Sequence, residues 1–295
     1  MSNQSHGKPV SFLLAILAVA ALAALGFSTG AATATSTATS TGASQHHSQP
    51  ASHTHGAKPT VVLVHGGWAD SSGWNAQVAT LQNKGYPVIA PANPLRGLTS
   101  DADYIRSVLQ TIDGPIVLVG HSYGGAVITN AATGNENVKA LVYIDAFLPD
   151  EGETLGELLG TPPGSCVLGP PTEIFDLRPI PGAPPRVVDA AVKQRRSPSC
   201  FANDLPAKQA AVLAATQRPI STLTLGQPSG PPAWAEIPSW ALVGTVDRVI
   251  LPATQLFMAE RAGARILKIK ASHLSMISRP GAVTGLIVAA DRATR

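Results

Sequence analysis

Charge is scarce in this sequence. Only 13% of its 295 residues are charged, 21 basic against 18 acidic, giving a formal net charge of +3. No cluster of Lys and Arg forms the basic stripe that binding to nucleic acid requires, so no nucleic-acid partner is expected. Acid is missing altogether until Asp70. Aromatic residues make up 5%, and there are two cysteines, Cys166 and Cys200, in one proline-rich region. In an exported protein these two are expected to pair, closing a loop at a gain on the order of 3 kcal/mol; the alternative is two buried thiols. With 44% hydrophobic residues and this length, the chain can bury a sizeable core.

The N-terminus differs in kind from the rest. Val10 to Phe27, "VSFLLAILAVAALAALGF", is uncharged and apolar, with Lys8 before it and small residues after it. This is the pattern of a secretory signal peptide, with A-x-A-like cleavage options at Ala32 and Ala34. The run also reaches the lower length limit of a spanning helix, so residues 1–34 read as a signal peptide or a membrane anchor. Residues 35–58 read as a flexible linker, rich in Thr, Ala, Ser and His and without apolar periodicity. His46, His47, His53 and His55 fall in it, and no Cys or carboxylate joins them as metal ligands are usually joined. The expected location is extracellular, with an anchored form, its folded domain outside, as the alternative.

From Thr60 onward short β-rich runs alternate with helical stretches. "TVVLVHG", "YPVIA", "PIVLVG", "VKALVYID", "SWALVG" and "ARILKIK" read as six strands. Helices are expected over Trp74 to Lys84, Ser122 to Thr133, Pro252 to Ala262 and Gly281 to Ala290. Another lies in "LTSDADYIRSVLQTIDG", where Ile105, Val108, Leu109 and Ile112 share one face. Ser100 and Asp103 resemble a capping box at its start, and Gly114 is placed at its end. Strands apolar on both faces and alternating with helices imply an α/β fold with a mostly parallel six-stranded sheet covered on both sides. The core is expected over 59–149 and 234–295. Between them, residues 150–233 hold 14 of the 25 prolines. This stretch is too long for a plain loop and reads as a cap or lid at the sheet edge where parallel strands bind ligands.

One stretch carries chemistry. Gly120-His121-Ser122-Tyr123-Gly124 matches G-x-S-x-G between a strand and a helix, the context of a nucleophile on a strained turn. A serine hydroxyl needs a base. Outside the leader and linker the only histidines are His65, His121 and His273. His65 ends the first strand and His121 diverges from the serine, which leaves His273. A carboxylate must then fix the imidazole. Asp247, just past the fifth strand, is the best placed, and Asp145 at the end of the fourth is the reserve. Developing negative charge on a substrate oxygen calls for fixed N–H donors. Tyr123 supplies one, and the "HGGW" loop the other, from Gly67 or alternatively Trp68.

These blocks, "VLVHGGWADSSGWN", "GHSYGG", "LVGTVDRVI" and "ASHLSMISRP", resemble the α/β-hydrolase superfamily, in particular small bacterial esterase-like members related to plant methylesterases and hydroxynitrile lyases. The resemblance runs from about Lys58 to the C-terminus. It implies a triad of Ser122, Asp247 and His273, an oxyanion hole of Gly67 and Tyr123, a cap over 150–233, and a sheet lacking the superfamily's first two strands; Trp68 is separately expected to contact substrate. The resemblance implies no cofactor and no metal. The expected reaction is hydrolysis of a small-molecule carboxylic ester. Acyl transfer or hydroxynitrile-lyase chemistry on the same triad is the alternative, and a non-catalytic extracellular binding protein is the reading from another class.

Overall fold

The computed structural model describes residues 58–295. The signal peptide or anchor, the cleavage options and nearly all of the linker lie outside the described residues. Six strands form one sheet: β1 (Thr60–Val64), β2 (Val88–Ile89), β3 (Ile116–His121), β4 (Val138–Ile144), and, after the proline-rich stretch, β8 (Ser239–Gly244) and β9 (Arg265–Ile269). Their order is β2-β1-β3-β4-β8-β9, and every neighbouring pair is parallel. All six correspond to the runs read from the sequence.

The central strands show why those runs are continuous rather than alternating. Every residue of β3 is buried, as is all of β4 but Lys139. Such strands need cover on both faces, and each Val, Leu or Ile withdrawn from water contributes roughly 1.5–3 kcal/mol. Helix Pro280–Thr294 packs against β3, β4 and β8, while helix Tyr123–Ala131 packs against β1, β3 and β4 and against helix Leu98–Leu109. Parallel strands put their carboxyl ends on one rim, and residues 122, 247 and 273 follow β3, β8 and β9 there.

Helix Leu98–Leu109 corrects one detail of the sequence reading. It begins two residues before Ser100, with Gly97 as its N-cap and no side-chain cap. The capping-box reading at Ser100 and Asp103 fails because the Ser100 hydroxyl donates to the Gly97 carbonyl, and because Asp101, not Asp103, turns back to accept the Arg96 N–H at 3.1 Å. Gly114 does not end this helix. With φ of 84° it makes the turn into β3.

Between β4 and β8 the chain builds a second, antiparallel sheet of β5 (Phe175–Pro179), β6 (Val188–Val192) and β7 (Ile220–Ser221), with short helices around it. Its first helix, Leu155–Leu159, is started by Thr154, whose hydroxyl accepts the Glu157 N–H while Glu157 accepts the Thr154 N–H at 3.1 Å. Cys166 and Cys200 are disulfide-bonded, their Cα atoms 5.7 Å apart. Ion pairs of Arg261 with Glu153 and of Arg96 with Asp189 tie the insertion to the core.

Candidate active site

Ser122 sits where β3 stops and the next helix starts, with φ 53° and ψ −123°. A non-glycine residue held there costs on the order of 1–3 kcal/mol and persists only when its surroundings fix it. They do so here: the Ser122 N–H donates to Ile144, and its carbonyl accepts from Gly125 and Phe147. The flanking glycines are required by contact. A Cβ on Gly120 would lie 2.6 Å from the Gly124 carbonyl oxygen, one on Gly124 2.5 Å from that of Val64, and one on Gly125 2.4 Å from that of Phe147. The same logic in the loop after β1 points to Gly66, whose Cβ would meet that of Ser122 at 2.7 Å; the glycine packed on the serine is therefore the neighbour of Gly67.

His273 follows β9, and its Nε2 lies 2.8 Å from the Ser122 Oγ. Its Nδ1 is 2.7 Å from Oδ2 of Asp247. A carboxylate accepts and cannot donate, so Nδ1 carries the proton and Nε2 is left to accept from the serine hydroxyl. Asp247 also accepts from Val249 N–H at 2.7 Å, Ile250 N–H at 3.2 Å and Gln255 Nε2 at 2.7 Å. Burial pushes its carboxyl well above the ordinary value, and these donors offset that only in part. Burial also holds His273 well below the usual histidine value, at about 3, which keeps the imidazole neutral.

Asp145, the reserve carboxylate, makes no hydrogen bond to His273. One of its oxygens accepts the Gly244 N–H at 2.8 Å and the other the Ser275 N–H at 3.2 Å, so it ties the loop before Asp247 to the loop after His273. Burial first, and the nearby Asp247 charge second, push it well above the carboxylate range.

Sequence reasoning missed two supports. His121 makes no hydrogen bond to Ser122; its Nε2 donates to the His273 carbonyl at 2.8 Å and so holds the backbone that carries the His273 ring. Burial, and then the neighbouring His273, keep His121 neutral. The Tyr123 hydroxyl donates to Asp101 at 2.7 Å, which anchors the turn to helix Leu98–Leu109. The Tyr123 N–H is one of the unbonded donors at a helix start.

Trp68, at φ 53°, donates its Nε1–H to the Ala190 carbonyl of β6 at 2.9 Å. It stacks on Phe175 and meets Phe201 edge-on, and the Phe201 ring centroid lies 5.6 Å from that of His273. Beside them is a narrow cavity of mixed lining, with Gly67, Trp68, Phe201, Leu213 and Leu274 on its apolar side and Asp70, His121 and Gln217 among its polar groups. Among the described residues, no group of three His, Cys, Asp or Glu side chains stands together as a metal site.

The family model described as the alpha/beta hydrolase family matches residues 61–286. The chain belongs to this family. A carbendazim hydrolyzing esterase from Nocardioides sp. (strain SG-4G) is 36% identical over 111 residues, 33% of this chain and 46% of that protein. A probable hydrolase from Phoma sp. (strain ATCC 20986 / MF5453) is 29% identical over 118 residues, 35% of this chain and 48% of that protein. The chain thus spans about half the length of these two curated relatives. Among solved structures, polyneuridine aldehyde esterase superposes with a TM-score of 0.67 at 20% identity, covering 79% of this chain and 98% of that one. A pyrethroid hydrolase from Sphingobium faniae JZ-2 does so with a TM-score of 0.62 at 22% identity, covering 80% and 98%. These structural likenesses concern the fold.

Proposed function

We propose that this alpha/beta hydrolase cleaves a small-molecule carboxylic ester through an acyl-serine intermediate. The observation that carries the reading is the hydrogen-bonded line from Ser122 Oγ through the His273 ring to Asp247, with spacings of 2.8 and 2.7 Å. Ser122 attacks the ester carbonyl while His273 Nε2 takes its proton, and Asp247 stabilises the imidazolium that forms. The oxyanion receives the N–H groups of Tyr123 and of Gly67. His273 then passes the proton to the departing alcohol. Water, activated by the same imidazole, releases the acid and restores the serine. The apolar portion of the ester faces Trp68 and Phe201.

The name of the Nocardioides relative, an esterase, supports this assignment. Export is part of the same proposal, supported by the apolar run at Val10–Phe27 and by a disulfide that suits an oxidising compartment. The kinetic test is Ser122→Ala, assayed with p-nitrophenyl esters. Turnover is expected to fall by at least about 10⁴-fold, with an unchanged circular dichroism spectrum. A rate near wild type would assign the nucleophile elsewhere.

A further inference from the structure

We infer that residues 199–204 of the insertion form a clasp that fixes the Asp247 and His273 loops relative to each other, and that Asp204 is a positioning residue for His273. The inference rests on the serine-esterase reading and names how that site is held. Toward the base loop, the Asp204 carboxylate accepts the Ser272 N–H at 3.1 Å and the Ser272 hydroxyl, and Ser272 is wholly buried and immediately precedes His273. Toward the acid loop, Asn203 Nδ2 donates to the Val246 carbonyl at 3.2 Å, and Arg248 donates to the Ser199 carbonyl at 3.3 Å. These contacts flank Asp247 on both sides in sequence.

The clasp is itself anchored. Cys200 is bonded to Cys166, whose N–H donates to the Arg248 carbonyl at 2.8 Å, and Ser165 donates its hydroxyl to the Val249 carbonyl at 2.6 Å. Between the two attachments Phe201 sets its ring edge-on to His273. Within six consecutive residues, Ser199, Phe201, Asn203 and Asp204 therefore reach the two loops or the His273 ring. Burial is the largest single influence on Asp204 and works against its charge, but the Ser272 hydroxyl and N–H, the Ser278 hydroxyl and the Arg279 charge together outweigh it, leaving the carboxyl below its ordinary value and ionised. An ionised acceptor bonded to both polar groups of Ser272 limits rotation of the peptide that carries His273, and misplacing a catalytic group by about 1 Å can cost on the order of 100-fold.

The test compares Asp204→Asn, Ser272→Ala and the double variant in the full-length protein, by kcat, KM and melting temperature with p-nitrophenyl acetate. Each single change is expected to lower kcat roughly 10- to 100-fold with KM within about twofold, and the double variant to be no slower than the worse single one. Folded variants with unchanged kcat, a change confined to KM, or losses that multiply in the double variant would each overturn the clasp. Should Asp204→Asn fail to fold, Ser272→Ala carries the same comparison, since it removes only the partner hydroxyl. Wild-type turnover separates the two ideas: no ester cleavage by wild type sinks the esterase reading, whereas active wild type with equally active variants sinks only the clasp.

Discussion

The sheet and the insertion hold their shapes by different means, and the difference shows how each serves the site. In the sheet, buried β3 and β4 are fixed by apolar burial, backbone ladders and glycines that let main chains approach closely. The exposed first strand of the insertion, β5, has little burial to draw on. A disulfide and a capping box add to the burial that the rest of the insertion draws from residues such as Leu155, Leu159, Val192 and Ile220. Burial fixes atoms tightly but tolerates no added volume, so the serine turn belongs to the sheet. Cross-links tolerate varied side chains, and the insertion adds Phe201 and Leu213 to a cavity that the core lines with Gly67, Trp68 and Leu274.

The comparison breaks most visibly at Gly124. Gly124→Ala puts a Cβ 2.5 Å from the Val64 carbonyl oxygen and 2.8 Å from that of His65, with backbone on both sides unable to yield. A loss of more than about 3 kcal/mol is expected, read as a collapse in folded yield or in the denaturant midpoint. A fully stable variant would mean that this turn is looser than its contacts imply.

The insertion has its own weak point. Replacing Cys166 and Cys200 together by Ser opens a loop of sequence separation 34 and is expected to cost about 2–3 kcal/mol, while circular dichroism still reports the sheet. Denaturant titration of the double variant checks this. Loss of the whole fold would show that the two regions are one cooperative unit.

The smallest effect concerns pH, and it sharpens the link between the two regions. Burial beneath Phe201 lowers His273 from 6.5, so the neutral base survives as pH falls past 6.5 and is lost only when pH drops through its own lower value. The acid limb of kcat/KM is therefore expected to have its midpoint below 6.5, and Phe201→Ala, by admitting water, to move it upward. A wild-type midpoint at or above 6.5 would contradict the burial argument.

How legible each region was in the sequence follows the same division. The runs in β1, β3, β4 and β8 are apolar because both faces are covered, and that pattern survives in one dimension. Ser122 was marked by its glycines, and with few histidines in the folded region His273 followed by elimination. The bonds of Asp204 to Ser272 and of His121 to the His273 carbonyl join residues 68 and 152 positions apart, and no local period announces them. β5 pairs with β6 while exposing most of its residues, so it lacks the alternation that marks a half-buried strand. The choice of Gly67 followed the motif, whereas the close packing on Ser122 that singles out Gly66 needed coordinates.

The central claim is that the Ser122 oxygen is the nucleophile and that the 273 imidazole makes it one. Mass spectrometry of the intact and digested protein after exposure to a fluorophosphonate measures this most directly. One phosphonyl group on the peptide containing Ser122 is predicted, formed at least about 100-fold more slowly in His273→Ala. Labelling on another residue, or an equal rate without the imidazole, would contradict the account.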